Sequence, residues 1–219
     1  MTGAPLTWRV GLAERPIHHQ DRSLIDRELG LFGVFDGVGS ISRAGEAAQV
    51  AAETVARCCH AGERNPGAAL VRGCEQAEVL IKQQRLGATT ATVVWVKDRE
   101  LWYVSVGDSR LYRQAAGSNS LVQVTTDEGV GNLLDNALGE GPDRKGAEVA
   151  PQRSSLALGS GDKLLLVTDG ITGDSPPDLL TARELTVAIS GGEPQLGAER
   201  LLGIARKHDD RTALVIFLE

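Results

Sequence analysis

Thr89-Thr90-Ala91-Thr92-Val93-Val94-Trp95-Val96 is followed by Lys97-Asp98-Arg99-Glu100 and then by Leu101-Trp102-Tyr103-Val104-Ser105-Val106. Two runs rich in β-branched and aromatic residues thus stand on either side of four polar ones, the signature of strands joined by a turn. Four residues close a hairpin but cannot carry the crossover of a dozen or more that a parallel pair needs. The pattern repeats downstream, where Ser109–Arg113 and Leu121–Thr125 flank the turn Gly117-Ser118-Asn119-Ser120. Further strand-like runs are Leu31–Phe35, Lys163–Thr168 and Thr212–Leu218. The centre of the chain therefore reads as antiparallel sheet, and a parallel βαβ arrangement is disfavoured.

Outward from that centre the apolar period changes from two to about four. Ala44, Ala47, Ala48, Ala51, Val55 and Cys58 recur at helical spacing, as do Leu70, Cys74, Ala77 and Ile81. A second helical block is expected between Pro177 and Lys207, its last helix opening at Pro194 and carrying Leu196, Arg200, Leu201 and Ile204. Sheets layered with helices follow, because the apolar faces of the sheets need cover. The fold class expected is α+β. With 219 residues, no internal repeat, and loop-sized rather than linker-sized stretches at Gly139–Gly146 and Gly191–Pro194, residues 1–219 read as one domain.

Composition excludes several roles. Lys and Arg number 23 against 29 Asp and Glu, a net charge of −6, and the longest basic clusters are the pairs Arg144-Lys145 and Arg206-Lys207. Nucleic acid is not an expected partner of such a surface. No apolar run reaches the ~18 residues of a membrane span and no signal-peptide core is evident, so a cytoplasmic protein without a membrane partner is expected. Cys58, Cys59 and Cys74 lack zinc-site spacing and read as buried free thiols on helices.

Four aspartates stand at strand edges: Asp36 before Gly37, Asp108 in Val106-Gly107-Asp108-Ser109-Arg110, Asp169 before Gly170, and Asp209 ahead of Arg211-Thr212. Singly, an Asp-Gly after a strand is most often a turn, and Asp108 reads as a charge pair with Arg110. Together, carboxylates on rigid strand ends suit hard cations such as Mg²⁺ or Mn²⁺. Two such ions can ionise a water between them and neutralise a phosphoryl group. Gly37 and Gly170 are expected to allow a sharp turn and a close approach of backbone to an ion.

The ordered series is distinctive: His19-Gln20-Asp21, Leu31-Phe32-Gly33-Val34-Phe35-Asp36-Gly37-Val38-Gly39, Gly87-Ala88-Thr89-Thr90, Val106-Gly107-Asp108-Ser109-Arg110, Ala137-Leu138-Gly139, Val167-Thr168-Asp169-Gly170 and Asp209-Asp210-Arg211-Thr212. From about Thr7 to Leu218 the chain resembles the metal-dependent protein phosphatases of type 2C. The resemblance implies a central antiparallel β-sandwich flanked by helices on both outer faces, a four-layer αββα arrangement with a two-metal cleft at one end. It further implies that Asp36 bridges both ions, that the Gly37 carbonyl holds the second, and that Asp169 and Asp209 hold the first. Asp21 would reach the ions through water, and Asp108 with Asp169 would hold a weaker third ion, as in bacterial relatives.

Four departures from the family pattern stand out. The phosphate-binding arginine expected five residues before Asp21 is Pro16, with Arg15 one residue earlier as its candidate replacement. Gln20 stands where many members carry Glu, and Val38 replaces a histidine that many eukaryotic members place after the Asp-Gly. His18 and His19 do not readily restore that acid, because neighbours on a strand face opposite ways. With 61 positions from Asp108 to Asp169, the flap after Thr125-Thr126-Asp127-Glu128 reads as short and the cleft as open.

The expected function is a metal-dependent phosphoserine/phosphothreonine protein phosphatase in which a metal-bridging hydroxide attacks phosphorus directly. Its partners would be a phosphorylated protein and a cognate kinase or regulator. The rival is a catalytically weak or inactive binding or regulatory module on the same fold.

Overall fold

The computed structural model describes residues 5–39, 41–60, 62–130, 133–139 and 149–219. Beyond Gly139, the loop expected to Gly146 lies outside these residues, as does the Arg144-Lys145 pair. In chain order the elements are β1 (Trp8–Arg15), β2 (Arg22–Asp26), β3 (Leu31–Phe35), α1 (Ala44–Cys58), α2 (Pro66–Gln84), β4 (Ala88–Thr89), β5 (Ala91–Lys97), β6 (Glu100–Val106) and β7 (Arg110–Gln114). They continue with β8 (Val122–Gln123), β9 (Gly129–Val130), β10 (Leu133–Leu134), β11 (Leu138–Gly139), β12 (Gln152–Ala157), β13 (Lys163–Val167), α3 (Asp169–Thr172), α4 (Ala182–Ala188), α5 (Pro194–Ile204) and β14 (Arg211–Leu218).

The decisive hairpin forms. Val94 faces Tyr103, Trp95 faces Trp102 and Lys97 faces Glu100, leaving Asp98 and Arg99 as a two-residue loop. Both have positive φ, 52° and 64°, the left-handed conformation a tight hairpin turn requires and one that aspartate tolerates better than most. The run expected as one strand from Thr89 divides at Thr90: β4 turns away to pair with β11, while β5 continues in the main sheet.

Two five-stranded sheets result, ordered β12-β6-β5-β3-β2 and β1-β14-β13-β7-β8, with antiparallel neighbours throughout. Strand alternation sorts their side chains. Phe32, Val34, Val94, Leu164, Leu166, Leu214 and Ile216 fill the space between the sheets. Leu31, Phe35, Val93 and Trp95 face outward onto Ala47, Ala51, Val55, Leu70, Cys74 and Ile81 of α1 and α2. Leu165, Val167, Ala213 and Val215 face the other way onto Leu185, Ile189, Ala198 and Leu201 in the α4–α5 region. The four αββα layers follow from this two-faced burial, in which a fully buried aliphatic side chain contributes roughly 1.5–3 kcal/mol. Trp95 keeps its polar atom satisfied by donating to the Leu29 carbonyl at 2.9 Å.

Sequence reasoning missed β1, β2 and β12. Each carries the half-exposed residues of a sheet margin rather than a continuous apolar run, β2 being partly exposed at every position. Of the cysteines, Cys59 and Cys74 are buried, but Cys58 is only partly so and its Sγ donates to Gln76 Oε1 at 3.3 Å. Among the described residues no helix is long and apolar enough to cross a membrane.

Candidate metal centre

A cleft of about 220 Å³ opens at one end of the sandwich, lined by Asp36, Val38, Gly39, Thr90, Asp108, Leu134, Asp169, Lys207 and Asp209. Four aspartates that are far apart in the chain therefore meet: Asp36 just after β3, Asp108 between β6 and β7, Asp169 after β13 and Asp209 before β14. Leu134 brings the β9–β10 hairpin to the wall.

Hydrogen bonding explains why the Gly87-Ala88-Thr89-Thr90 segment belongs to this site. Thr90 Oγ1 accepts from the Asp36 N–H at 3.0 Å, the Thr90 N–H donates to the Asp36 carbonyl at 2.8 Å, and Thr89 Oγ1 donates to the same carbonyl at 2.9 Å. Thr90 and Ser109 share a hydroxyl–hydroxyl bond of 2.8 Å, and Thr92 Oγ1 donates to the Ser109 carbonyl. Two threonines thus fix Asp36, and one of them also links it to the loop carrying Asp108.

The two Asp-Gly glycines act differently from the sequence expectation. Neither has a positive φ. A Cβ on Gly37 would lie 2.7 Å from the Ala44 carbonyl at the start of α1, and one on Gly170 would lie 1.8 Å from the Asp210 carbonyl. Both spare the backbone of a neighbouring segment rather than make a sharp turn.

Asp108 does not pair with Arg110, whose guanidinium grips Asp127 through Nε and Nη2 at 2.9 and 2.6 Å. Burial, then the charges of Asp169 and Asp174, push the Asp108 carboxyl up to about 7. Burial, followed by Asp21 and Asp169, raises Asp36 well above the usual carboxylate range. Asp21 is also raised to about 7, by burial first, although Thr212 and Thr168 hydroxyls donate to its Oδ2 at 2.7 and 2.9 Å. Asp21 Oδ1 and Asp169 Oδ1 are buried with no hydrogen-bond partner among the described residues. Crowded carboxylates with idle oxygens form an all-oxygen donor set suited to hard divalent cations.

Arg15 sits elsewhere. It ends β1 opposite Arg211 and lines an adjoining pocket of about 320 Å³ with His19, Asp21, Arg22 and Asp210. His18 and His19 lie in the β1–β2 loop rather than on a strand, and His19 has φ 63°.

Three further residues escaped the sequence reading. Asp210, 2% exposed, accepts the backbone N–H groups of Ile17, His18, Gln20 and Asp21 and so fastens the β1–β2 loop. Lys207, expected as half of a basic pair, parts from Arg206, which bonds Glu184. Its Nζ enters the cleft and pairs with Asp169, with Asp174 at 2.9 Å and with Asp209 at 3.2 Å. Asp174 in turn lies with Asp108 and Asp169 such that one oxygen of each falls within 4.8 Å of the others. Only the doubled Asp at 209–210 hinted at any of this.

Comparison with known proteins bears on the fold and the family. Among solved structures, PppA, a key regulatory component of T6SS in Pseudomonas aeruginosa, is 22% identical with TM-score 0.83, covering 97% of this chain and 98% of its own. The PPM Ser-Thr phosphatase MsPP from Mycobacterium smegmatis, solved with cacodylate, is 25% identical with TM-score 0.79 over 99% and 100%. The catalytic domain of the serine threonine protein phosphatase PstP, solved with 2 manganese ions, is 22% identical with TM-score 0.77 over 97% and 99%. No curated protein sequence matches significantly. The sequence pattern described as Protein phosphatase 2C matches residues 14–190, most of the chain and most of the aspartate series. With the two-sheet scaffold and its acidic cleft in place, that match assigns the chain to the protein phosphatase 2C family.

Proposed function

We propose that the chain, as one domain, is a metal-dependent phosphoserine/phosphothreonine protein phosphatase. The observation that carries this reading is the meeting of Asp36, Asp108, Asp169 and Asp209 in one cleft, with the buried Oδ1 atoms of Asp169 and neighbouring Asp21 left without a hydrogen-bond partner among the described residues. In this reading Asp36 would serve both ions, Asp169 and Asp209 would hold the first and the Gly37 carbonyl the second, and Asp21 would act through water. Bound there, Mg²⁺ or Mn²⁺ would ionise a water near neutral pH and neutralise the phosphoryl oxygens. The chain's own part is to fix these residues, through the Thr89 and Thr90 hydroxyls on the Asp36 backbone and the Thr168 and Thr212 hydroxyls on the Asp21 carboxylate. No cysteine nucleophile is required: burial pushes the Cys59 and Cys74 thiols up to about 12, far from thiolate reactivity. The test is release of phosphate from a phosphopeptide with Mn²⁺, with Mg²⁺ and with chelator. Metal-dependent turnover supports the enzyme; no turnover under any condition supports the rival regulatory module, a reading favoured by Arg15 lying off the cleft.

Two residues are assigned roles beyond ion binding. Asp108, freed from Arg110, positions the water that protonates the leaving group, since Val38 occupies the place of an acid. Asp108→Ala is expected to lower kcat roughly 10²-fold more for a phosphopeptide, whose alkoxide leaves poorly, than for p-nitrophenyl phosphate. Equal losses on both substrates would refute that role. Arg15 binds substrate from the adjoining pocket, so Arg15→Ala is expected to raise KM several-fold with little change in kcat. An unchanged KM for a small phosphomonoester and a phosphopeptide alike would leave Arg15 a surface charge.

A further inference from the structure

The cleft already contains a cation of the protein's own. Lys207 is its one basic lining residue among those described, its side chain is 18% exposed, and its ammonium touches three carboxylates. Two of the three, Asp169 and Asp209, are the pair read above as holding the first ion. The third, Asp174, is 10% exposed and pairs with the same ammonium at 2.9 Å. The backbone of Lys207 is fastened independently, because Arg211 donates to its carbonyl through Nε at 3.2 Å and Nη2 at 2.6 Å. The flexible part of the residue is its four-carbon stem, while its backbone is held by contacts that do not involve the ammonium.

An ammonium with three donors and a divalent ion with a full coordination shell cannot use the same oxygens at once. We propose that Lys207 is a resident competitor for the first metal: an ion entering between Asp169 and Asp209 must displace its ammonium, so Lys207 raises the metal concentration at which the centre fills. The inference rests on the metal-centre reading and concerns its regulation. Its physical basis is that separating a largely buried ion pair is unfavourable, so the free energy of displacing the ammonium is subtracted from that of every ion bound.

Isothermal titration of Mn²⁺ into chelator-stripped protein tests it, with Lys207→Met to remove the charge while keeping the stem, and Lys207→Gln as a second variant in case one folds poorly. Thermal unfolding with and without Mn²⁺ is measured alongside. Both variants are expected to bind Mn²⁺ about ten-fold more tightly, and to melt lower than wild type in chelator but gain more on adding Mn²⁺. Mn²⁺ binding by the variants where wild type shows none would support the proposal equally. An unchanged or weaker Kd, with melting lowered to the same extent in chelator and in Mn²⁺, would make Lys207 a structural ion pair and overturn it while leaving the metal centre standing. No binding by any of the three proteins would overturn the metal centre and this inference with it.

Discussion

Asp36→Asn is expected to lower kcat for a phosphopeptide by at least about 10³-fold, because in the proposed centre Asp36 would serve both of the ions that supply several kcal/mol of stabilisation at the phosphoryl group. The same change should not harm the fold. Asp36 is half-buried at the cleft wall and faces Asp21 and Asp169, which with burial disfavour its charge. A neutral isostere relieves that repulsion, so melting in chelator should be unchanged or higher. Asp169→Asn should lose turnover to a similar degree without that gain, since it also strips Lys207 of a partner. The contrast between the two variants separates an electrostatic metal site from general damage. Wild-type turnover in either one, with melting measured in parallel, would remove that residue from the chemistry.

The second large effect concerns stability. Asp210→Ala leaves the N–H groups of Ile17, His18, Gln20 and Asp21 without their acceptor, His18 at 2.6 Å and Gln20 at 2.5 Å being among them. Although burial acts to raise the Asp210 carboxyl, those four N–H groups hold it below the usual range, which marks the ionised form as the bound one. Hydrogen bonds to a charged group contribute roughly 1.5–3 kcal/mol each, and water can replace part of the loss in a loop. A net destabilisation of about 3 kcal/mol is expected, or a fall in Tm of roughly 6–12 °C for a chain of this size. Asp210→Asn, which keeps one acceptor oxygen, should fall between. Because the fastened loop carries Asp21, phosphatase activity should drop with Asp210→Ala even below the melting transition. A Tm within a degree of wild type would show that the loop holds without its clamp.

What was legible in the sequence was whatever local pattern decides. The β5–β6 hairpin could be read because two apolar runs and a four-residue gap leave one pairing, and α1 and α2 because their apolar residues recur at helical spacing. The two outer faces were less visible: strands buried on both sides, such as β13 and β14, show continuous apolar runs that do not announce which residue faces which layer. Margin strands β2 and β12 lacked even that run.

At the site, the aspartates of the ordered series were legible by type and order, and four of them line the cleft. The roles of Lys207 and Asp210 were not. Lys207 lies 38 residues from Asp169 and beside an arginine that turns the other way, so only the fold shows which of the two basic groups enters the cleft. Asp209 and Asp210 are the same residue type in adjacent positions. Their division of labour, one lining the cleft and one fastening the β1–β2 loop, depends on backbone direction at the start of β14. Gly37 and Gly170 were legible as special positions, but the contacts that exclude a Cβ come from Ala44 and Asp210, which no local pattern reveals.

The most direct measurement of the central claim is anomalous diffraction at the manganese edge from crystals of the protein grown with Mn²⁺. Two peaks roughly 3.5–4 Å apart are predicted within the cleft, both within coordinating distance of Asp36 and one of them bounded by Asp169 and Asp209. Peaks confined to surface carboxylates, or a cleft without manganese at saturating concentration, would contradict it.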